Sequence, residues 1–447
     1  MLIDFLLNIF EENKSKIAII WKDEMYSYEW LLIRIKYWDN QLDEIQVHAG
    51  DVVALIGDFT PDCIALLLSL INRSSIIVPL NATSKIDYTE KFNISQTEKA
   101  IIFDELNEIS TTLFNRTADH PLYSELRSIK VPGLVLFTSG TSGLPKGAVH
   151  NFLKLLKKFK TPRKALKTVN FLMFDHWGGL NTMFHTLSNA GTVLATKDRS
   201  PDSICAFIEK HKIELLPASP TFINLMLISG AFLRYNLSSL QLITYGTEPM
   251  PEYILKKLKS VFPSVKLQQT YGLIELGVLR SKSKSDDSLW VKVGGEGYET
   301  RVVDRILQIK ADSAMLGYLN APSPFTSDGW FITGDQVEVD GEYIRILGRK
   351  SELINVGGEK VYPQEVENII LEIDNIQDVT VYGEKNAITG NIICAKITLK
   401  QPEDKKELVS RLKKHCMGKM KGYMIPVKIS IAEETQHNER FKKIRNS

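Results

Sequence analysis

The most informative part of this chain is the stretch Thr138-Ser139-Gly140-Thr141-Ser142-Gly143-Leu144-Pro145-Lys146-Gly147. An apolar run at residues 134–137 precedes it, which predicts a loop rich in glycine and hydroxyl groups at the end of a strand. Such a loop can direct backbone N–H groups and hydroxyls at one polyphosphate, and Lys146 adds a fixed positive charge. A Walker A loop is excluded, because no Gly-Lys-Ser/Thr closes the stretch. We therefore predict a phosphate-binding loop; the alternative is a flexible surface linker.

The composition is that of an ordinary globular protein. The length of 447 residues suggests about three domain-sized units. Lys and Arg number 55 against 53 Asp and Glu, so the net charge of +2 gives no general attraction for nucleic acid. The four cysteines are widely spaced and form no Cys-x-x-Cys pair. They predict buried thiols in a reducing compartment, and neither a disulfide framework nor a zinc site.

The beginning of the chain does not resemble a signal peptide. Residues 1–14 are amphipathic and carry Asp4, Glu11 and Glu12, so the basic-then-apolar order of a signal peptide is missing. The longest apolar run, residues 63–71, is too short to span a bilayer. We therefore expect a cytoplasmic protein without an integral membrane segment.

Short apolar runs alternate with helical segments through most of the chain. Strands are predicted at residues 52–57, 75–79, 99–103, 133–137, 191–195 and 241–245, and helices at residues 61–73, 201–211 and 251–261. This alternation indicates an α/β fold of mostly parallel sheets flanked by helices. The polar residues 281–288 are predicted to form an exposed loop.

The last third of the chain has a different character. After Trp290, short segments separated by turn signals predict a β-rich subdomain. A charged break near Arg349 is followed by predicted helices at residues 363–372 and 403–415 and strands at residues 378–383 and 392–399. We therefore place a boundary after Arg349. It separates a large N-terminal domain, residues 1–349, from a small α+β C-terminal domain, residues 350–447.

Four further segments follow the loop in a fixed order. They are Thr244-Tyr245-Gly246-Thr247-Glu248-Pro249, Gln268-Gln269-Thr270-Tyr271-Gly272-Leu273-Ile274-Glu275, Trp330-Phe331-Ile332-Thr333-Gly334-Asp335 and Gly348-Arg349-Lys350. With the loop they resemble, across nearly the whole chain, the motifs of the adenylate-forming superfamily. That superfamily includes acyl- and aryl-CoA ligases, the adenylation domains of nonribosomal peptide synthetases and firefly-type luciferases.

The resemblance implies which residues bind ATP. Tyr271 would stack on adenine, because an aromatic face suits a purine. Glu275 would hold Mg²⁺, since a carboxylate suits a hard cation that is shared with phosphate oxygens. Asp335 and Arg349 would contact the ribose hydroxyls as acceptor and donor. The residues implied in binding ATP or AMP are Thr138, Ser139, Gly140, Thr141, Ser142, Gly143, Lys146, Gly246, Thr247, Tyr271, Gly272, Asp335 and Arg349.

The segment Asp175-His176-Trp177-Gly178-Gly179-Leu180-Asn181-Thr182 bears on the substrate class. It resembles acyl- and aryl-CoA ligases, in which this histidine borders the carboxylate pocket. Phe174-Asp175 partly matches the Phe-Asp-x-Ser of amino-acid-activating domains, so an amino acid stays open. A histidine held only by local hydrogen bonds is the structural alternative. Further pocket candidates are Ser219, Thr221, Gly246 and Thr247, whose polarity favours a small or aromatic acid.

The C-terminal domain would carry the residues that change roles between two half-reactions. By resemblance, Lys350 is a hinge, and Gly357-Gly358 lies in the segment that swings towards the site for thioester formation. Glycine leaves room for a threaded pantetheine arm. Near the end of the chain, the resemblance gives the catalytic lysine as Lys443, with Lys442 the alternative; an exposed basic tail is the structural interpretation.

These motifs predict ATP-dependent adenylation of a carboxylic acid, followed by thioester formation with release of AMP and pyrophosphate. The cofactors implied are ATP, Mg²⁺ and the thiol of CoA or of phosphopantetheine on an acyl carrier protein. The leading hypothesis is an acyl- or aryl-CoA ligase, and a stand-alone adenylation enzyme that loads a carrier protein is the second. A third is a nucleotide-binding relative with weak catalysis, because Ile274 replaces the usual threonine and Lys442 the usual glycine.

Overall fold

The computed structural model describes residues 2–82, 88–104, 107–139, 144–432 and 437. The helices are α1 (Asp4–Glu12), α2 (Tyr28–Glu44), α3 (Pro61–Asn72), α4 (Thr89–Ile94), α5 (Pro121–Ser128), α6 (Phe152–Leu156), α7 (Trp177–Leu187), α8 (Pro201–His211), α9 (Pro220–Ser229), α10 (Ala231–Arg234), α11 (Glu252–Val261), α12 (Pro363–Ile370) and α13 (Lys405–Cys416). Short 3₁₀ helices span Lys157–Lys160, Lys350–Glu352 and Gly422–Met424.

The strands of the first part of the chain are β1 (Ile17–Trp21), β2 (Glu24–Ser27), β3 (Val52–Gly57), β4 (Ile76–Asn81), β5 (Lys99–Phe103), β6 (Ile109–Leu113), β7 (Gly133–Ser139), β8 (Pro145–Asn151), β9 (Lys167–Val169), β10 (Thr192–Ala195), β11 (Leu215–Ala218), β12 (Leu242–Tyr245) and β13 (Lys266–Gln269). The later strands are β14 (Gly272–Leu273), β15 (Gly277–Val278), β16 (Ser281–Ser283), β17 (Trp290–Val293), β18 (Tyr298–Val303), β19 (Ile306–Ala311), β20 (Gly317–Tyr318), β21 (Phe331–Asp340), β22 (Tyr343–Arg349), β23 (Ile354–Val356), β24 (Glu359–Val361), β25 (Ile376–Asn386), β26 (Gly390–Leu399) and β27 (Lys428–Ile431).

Two seven-stranded sheets form the large domain. Sheet 1 has the strand order β20-β8-β7-β4-β3-β5-β6, and sheet 2 has the order β13-β12-β11-β9-β10-β1-β2. In sheet 1 the central strands β7, β4, β3 and β5 are parallel, while β8, β20 and β6 pair antiparallel at the edges. Sheet 2 is parallel except for its edge strand β2. The predicted α/β architecture is confirmed.

The strongest sequence signals correspond to the most buried elements. Every residue of β3 is buried, as expected for a strand covered on both faces, and its predicted bounds are correct. The next helix, α3, begins where predicted, because the side chain of Thr60 caps it and Pro61 occupies its first turn. Helix α8 also has its predicted bounds, with Ser200 as its cap.

The predicted β-rich subdomain is a six-stranded antiparallel sheet, sheet 3, of order β16-β17-β22-β21-β19-β18. One detail of the prediction was wrong, because residues 281–283 form the edge strand β16 and are not a loop. The Ser281 Oγ donates to the Gln269 carbonyl at 2.8 Å, and the Ser283 Oγ accepts from the Gln269 N–H at 2.9 Å. The serine hydroxyls thus join sheet 3 to β13 in sheet 2.

The small C-terminal domain has its own sheet, of order β25-β26-β27, and a separate hairpin of β23 and β24. The buried carboxylate of Glu367 on α12 accepts from the Val381 N–H at 2.9 Å, which fixes the helix to the sheet. Gln364 Nε2 donates to the Pro249 carbonyl at 2.9 Å and so links this domain to the large one. Among the described residues, no helix is both long and apolar enough to cross a membrane.

Candidate active site

The predicted phosphate loop connects two antiparallel strands of sheet 1. Thr138 and Ser139 end β7, and Lys146 lies in β8 directly opposite Thr138. Gly140, Thr141, Ser142 and Gly143 lie outside the described residues. The structure therefore places the two ends of the loop, and Lys146 among them, at the edge of sheet 1 next to β20.

Three of the predicted nucleotide-binding residues meet in one cluster. Tyr271 follows β13, whereas Asp335 and Arg349 are direct partners on β21 and β22 of sheet 3. The Tyr271 hydroxyl donates to Asp335 Oδ2 at 2.6 Å, and Arg349 Nε lies 3.4 Å from Asp335 Oδ1. The side chain of Asp335 is 9% exposed and that of Arg349 is 55% exposed. The cluster therefore offers a buried acceptor beside an accessible donor.

The electrostatics of this cluster follow from its burial. Burial raises the pKa of Asp335, while the charge of Arg349 and the Tyr271 hydrogen bond act in the opposite direction. Burial also raises the pKa of Tyr271 well above its usual value, and the neighbouring Asp335 charge adds to this effect. Tyr271 therefore remains a protonated donor at neutral pH.

Glu275 is held by a residue that the sequence did not indicate. The Tyr318 hydroxyl donates to Glu275 Oε1 at 2.6 Å, and the Lys146 Nζ lies 5.6 Å from the centre of the Tyr318 ring. Burial, with the nearby Glu275 charge, raises the pKa of Tyr318, so the phenol stays a donor. Tyr318 thus lies between the phosphate loop's lysine and the predicted metal ligand.

The segment that carries Tyr318 is hydrogen-bonded both to Glu275 and to the base of the predicted phosphate loop. The Met315 N–H donates to the Glu275 carbonyl at 2.8 Å, and the Leu319 N–H donates to the Gly147 carbonyl at 2.8 Å. Asn320 Oδ1 accepts from the Gly147 N–H at 3.1 Å, and its Nδ2 donates to the Pro145 carbonyl at 2.9 Å. Residues 315–320 therefore hold Glu275 and the base of the phosphate loop in one position. No motif in the sequence marks Tyr318 or Asn320, since their partners lie far away along the chain.

Gly246 and Thr247 lie beside this cluster. They follow β12, and the neighbouring parallel strand β13 leads to Tyr271, so both segments leave sheet 2 at the same edge. A Cβ atom at Gly246 would lie 2.6 Å from the Thr270 carbonyl oxygen, so this close approach requires glycine. Gly272 is in similarly close contact, with a virtual Cβ 2.9 Å from the Gly277 carbonyl oxygen.

His176 has a structural role in the described geometry. It is the N-cap of α7, and its Nδ1 accepts from the Gly178 N–H at 3.0 Å. Gly179 packs against the loop before the helix, since a Cβ there would lie 2.3 Å from the Met173 carbonyl oxygen. This is the local bonding that the structural alternative expects, and a pocket role for the half-buried imidazole stays a prediction.

A cavity of about 610 Å³ opens near the loop that holds Met173. It is lined by residues of the segment before α8, by the last turns of α9 and by Gln377 of the small domain. Its wall includes apolar Leu225 and the cation Arg199, which binds both Asp58 carboxylate oxygens at 3.1 Å. The size is typical of sites for small organic ligands.

Three of the predicted residues of the C-terminal domain, Lys350, Gly357 and Gly358, are described, and they are not part of the cluster. Lys350 begins a 3₁₀ helix directly after β22. Gly357 and Gly358 form the exposed turn between β23 and β24 with φ angles of 61° and 91°, which favour glycine. The Gly357 N–H donates to the Thr389 carbonyl at 2.7 Å, within the same domain. Lys442 and Lys443 lie outside the described residues.

The residues present fit a magnesium ion only as part of a nucleotide complex. Among the residues that the structure describes, no group of three or more His, Cys, Asp or Glu is placed to hold a metal ion. Glu275 is a single carboxylate, bonded to Tyr318 near Lys146 of the predicted phosphate loop. This suits Mg²⁺, which typically binds through one or two carboxylates together with substrate phosphates.

The chain belongs to the family of AMP-binding enzymes. The family model described as AMP-binding enzyme matches residues 8–312, and the model for the AMP-binding enzyme C-terminal domain matches residues 365–442. Together the two matches extend from residue 8 to residue 442.

Named relatives include several CoA ligases. An indoleacetate–CoA ligase of Aromatoleum aromaticum is 31% identical over 297 residues, which are 60% of this chain and 57% of that protein. Acyl-CoA synthetase 7 of Caenorhabditis elegans is 29% identical, over 70% of this chain and 64% of that protein. These two matches thus span less than two thirds of each relative. A 2-succinylbenzoate–CoA ligase of Listeria monocytogenes is 24% identical, over 97% of this chain and 96% of that protein.

Solved structures show the same fold. The anthranilate CoA ligase AuaEII, in complex with anthranoyl-AMP, gives a TM-score of 0.82 at 19% identity and covers 98% of this chain and 95% of that chain. The o-succinylbenzoate CoA synthetase of Bacillus subtilis gives a TM-score of 0.78 at 20% identity, over 99% of this chain and 96% of that chain. A large α/β domain followed by a small C-terminal domain is therefore the fold of this chain.

Proposed function

We propose that this protein is an ATP-dependent ligase that joins a small or aromatic carboxylic acid to the thiol of CoA. The observation that carries the proposal is the convergence near Glu275 of Tyr271, which follows the edge strand of sheet 2, with Asp335 and Arg349 of sheet 3. An aromatic ring, a buried acceptor and an exposed donor are the groups that a nucleoside requires.

In the first half-reaction, a carboxylate oxygen of the acid attacks the α-phosphorus of ATP. The bond from that phosphorus to the β-phosphate oxygen breaks, and pyrophosphate leaves with the electron pair. Lys146 and the backbone of the phosphate loop bind the departing phosphates. Glu275 would hold Mg²⁺, which neutralises phosphate charge when bound, and Tyr318 keeps the Glu275 carboxylate in place for it.

In the second half-reaction, the thiol sulfur attacks the acyl carbon, the thiol proton is released to solvent and AMP leaves. We place the boundary between the domains after Arg349, with Lys350 as the hinge of a mobile C-terminal domain. Rotation would withdraw Lys443 from the α-phosphate and bring the Gly357-Gly358 turn to the thiol. The exposure of that turn and its positive φ angles support this proposal.

The substrate class follows from the residues near α7. His176 would border the carboxylate of the acid, and the polar pocket candidates Ser219 and Thr221 favour a small or aromatic acid. The relatives named for indoleacetate and 2-succinylbenzoate, and the structure with anthranoyl-AMP, support an aryl acid. Loading of a carrier protein is the second candidate for the acceptor, and Phe174-Asp175 keeps an amino acid in the test panel.

ATP–pyrophosphate exchange across a panel of aryl, fatty, hydroxy and amino acids tests the proposal. We expect exchange that depends on an aryl acid, and thioester formation when CoA alone is added. Activity only with a phosphopantetheinylated carrier would favour the second candidate, an enzyme that loads a carrier protein. ATP binding without exchange on any acid would contradict the proposal and favour the weakly catalytic relative suggested by Ile274.

A further inference from the structure

Strand β6 is an exposed edge without the usual protection against pairing. It lies at the end of sheet 1, and all of its residues, Ile-Ser-Thr-Thr-Leu, are exposed. The strand carries no charged residue and no proline, the features that normally prevent edge-to-edge association. Among the described parts of the chain, no strand pairs with its outer side.

The hydrogen-bond phase of β6 identifies the backbone groups that point outwards. The Phe114 N–H donates to the Glu98 carbonyl at 2.9 Å, and the Asp104 N–H donates to the Glu108 carbonyl at 3.0 Å. Bonded and non-bonded pairs alternate in an antiparallel ladder, so residues 110 and 112 direct their backbone groups towards β5. Ile109, Thr111 and Leu113 therefore direct their N–H and C=O groups away from the sheet.

The outward-facing residues Ile109, Thr111 and Leu113 can pair with the same three residues of a second copy. If a second β6 pairs antiparallel about a twofold axis at Thr111, Ile109 lies opposite Leu113 of the second copy and Thr111 lies opposite its counterpart. All three pairs are then of the bonded type. The facing side chains are apolar with apolar and threonine with threonine, which are favourable cross-strand pairs. Any shift of this register leaves at least one outward-facing residue without an opposite partner.

We propose that two copies of this chain associate through β6, in this register, to form one continuous sheet across the dimer. An interface that is the same patch on both subunits is the commonest arrangement of a homodimer. Strand β6 ends sheet 1, and four strands separate it from β8, which carries Lys146. The association therefore leaves the candidate active site of each copy open.

A register-specific disulfide tests the proposal directly. Opposite residues of a bonded pair have Cα atoms about 5.5 Å apart, within the range of a disulfide. The four native cysteines are buried and free, so they do not compete. We expect the variant Thr111→Cys to give a disulfide-linked dimer on mild oxidation. The matched variant Ile109→Cys should not, because its two copies would lie roughly 13 Å apart along the strands.

Sedimentation velocity of the full chain provides the second measurement. We expect the mass to rise with concentration from 50.6 kDa towards twice that value. Thr111→Lys should abolish the dimer, because like charges meet at the twofold axis, yet retain pyrophosphate exchange. The control Thr112→Lys lies opposite Ser110 and should retain most of the dimer.

Three outcomes would overturn the proposal. The first is a monomeric wild type at all concentrations with no crosslink at position 111. The second is a crosslink at position 109 that forms as readily as that at position 111. The third is a dimer that Thr111→Lys leaves intact, since the subunits must then meet through another surface.

Discussion

Asp335 is a buried carboxylate. We expect its burial to lower the stability of the folded protein and to favour the proposed binding of a nucleotide. Its side chain is 9% exposed, and burial raises its pKa despite Arg349 and the Tyr271 hydroxyl. A charge kept in this place destabilises the folded protein, as residues selected for function often do. The same buried acceptor, already bonded to a protonated phenol, is the group that we propose accepts from a ribose hydroxyl.

Replacing Asp335 by asparagine should therefore separate these effects. We expect the affinity for ATP to fall about tenfold or more, because a hydrogen bond to a charged group contributes about 1.5–3 kcal/mol. Thermal stability at neutral pH should rise, because asparagine keeps an acceptor for Tyr271 without a buried charge. Calorimetric titration with ATP and thermal unfolding measure the two effects. A variant that is weaker in both would show that the charge stabilises the fold.

The pH dependence of this stability difference follows from the direction of the pKa shift. Because the pKa of Asp335 is raised in the folded state, the folded state binds the proton more tightly than the unfolded chain. The advantage of Asp335→Asn should be complete above the raised pKa. It should decline as the pH falls through the interval below and vanish beneath the ordinary carboxyl value. Unfolding curves of both proteins at several acidic pH values test this sign.

The role of Tyr318 can be tested by removing a single oxygen atom, that of its hydroxyl group. Tyr318→Phe removes the hydroxyl that donates to Glu275 Oε1 and keeps the ring near Lys146. We expect the Mg²⁺ concentration needed for half-maximal ATP binding and exchange to rise roughly tenfold, from loss of a bond to a charged acceptor. The control Tyr298→Phe removes a hydroxyl that faces Ser313 and should leave the Mg²⁺ requirement unchanged.

At the scale of elements, α7 combines a structural and a proposed catalytic role in His176. The imidazole caps the helix through the Gly178 N–H, and the same ring would border the acid. His176→Ala should lower stability by about 1 kcal/mol through loss of the cap. His176→Asn restores a cap acceptor without the ring. If the pocket role is correct, both variants raise the KM for the acid, whereas only the alanine variant unfolds more easily. Normal acid kinetics in His176→Asn would leave the histidine a structural role alone.

Elements were predictable where one local property determined them. Strand β3 was predicted with its bounds because it is continuously apolar and buried, and α8 because a serine cap and a proline begin it. The edge strand β16 was missed, because its serines look like a loop until Gln269 is placed beside them. The Tyr318–Glu275 bond was missed for a similar reason. It joins residues 43 positions apart, Glu275 in the turn between β14 and β15 and Tyr318 in β20, and no local sequence pattern connects the two.

At the scale of the whole molecule, two of the polar bonds between the small domain and the large one lie beside the candidate site. Gln364 reaches the Pro249 carbonyl at 2.9 Å, and Asn224 Nδ2 lies 3.5 Å from the Gln377 carbonyl. Pro249 follows the Gly246-Thr247 segment beside Tyr271, so the docked domain touches the loop that borders the proposed adenine site. A rotation about Lys350 that breaks these bonds would therefore be coupled to the state of the nucleotide.

The two half-reactions provide the test of that rotation. Lys443→Ala should slow adenylation about 10²–10³-fold, by analogy with the loss of one donor that stabilises developing charge. Thioester formation from a supplied acyl adenylate should be largely retained, because the rotated domain would have withdrawn this lysine. Lys442→Ala is the matched control for a neighbouring charge, and a stronger effect there would move the catalytic assignment to Lys442. If Lys443→Ala slowed both half-reactions equally, the proposal that domain rotation removes this lysine from the site before thioester formation would be contradicted.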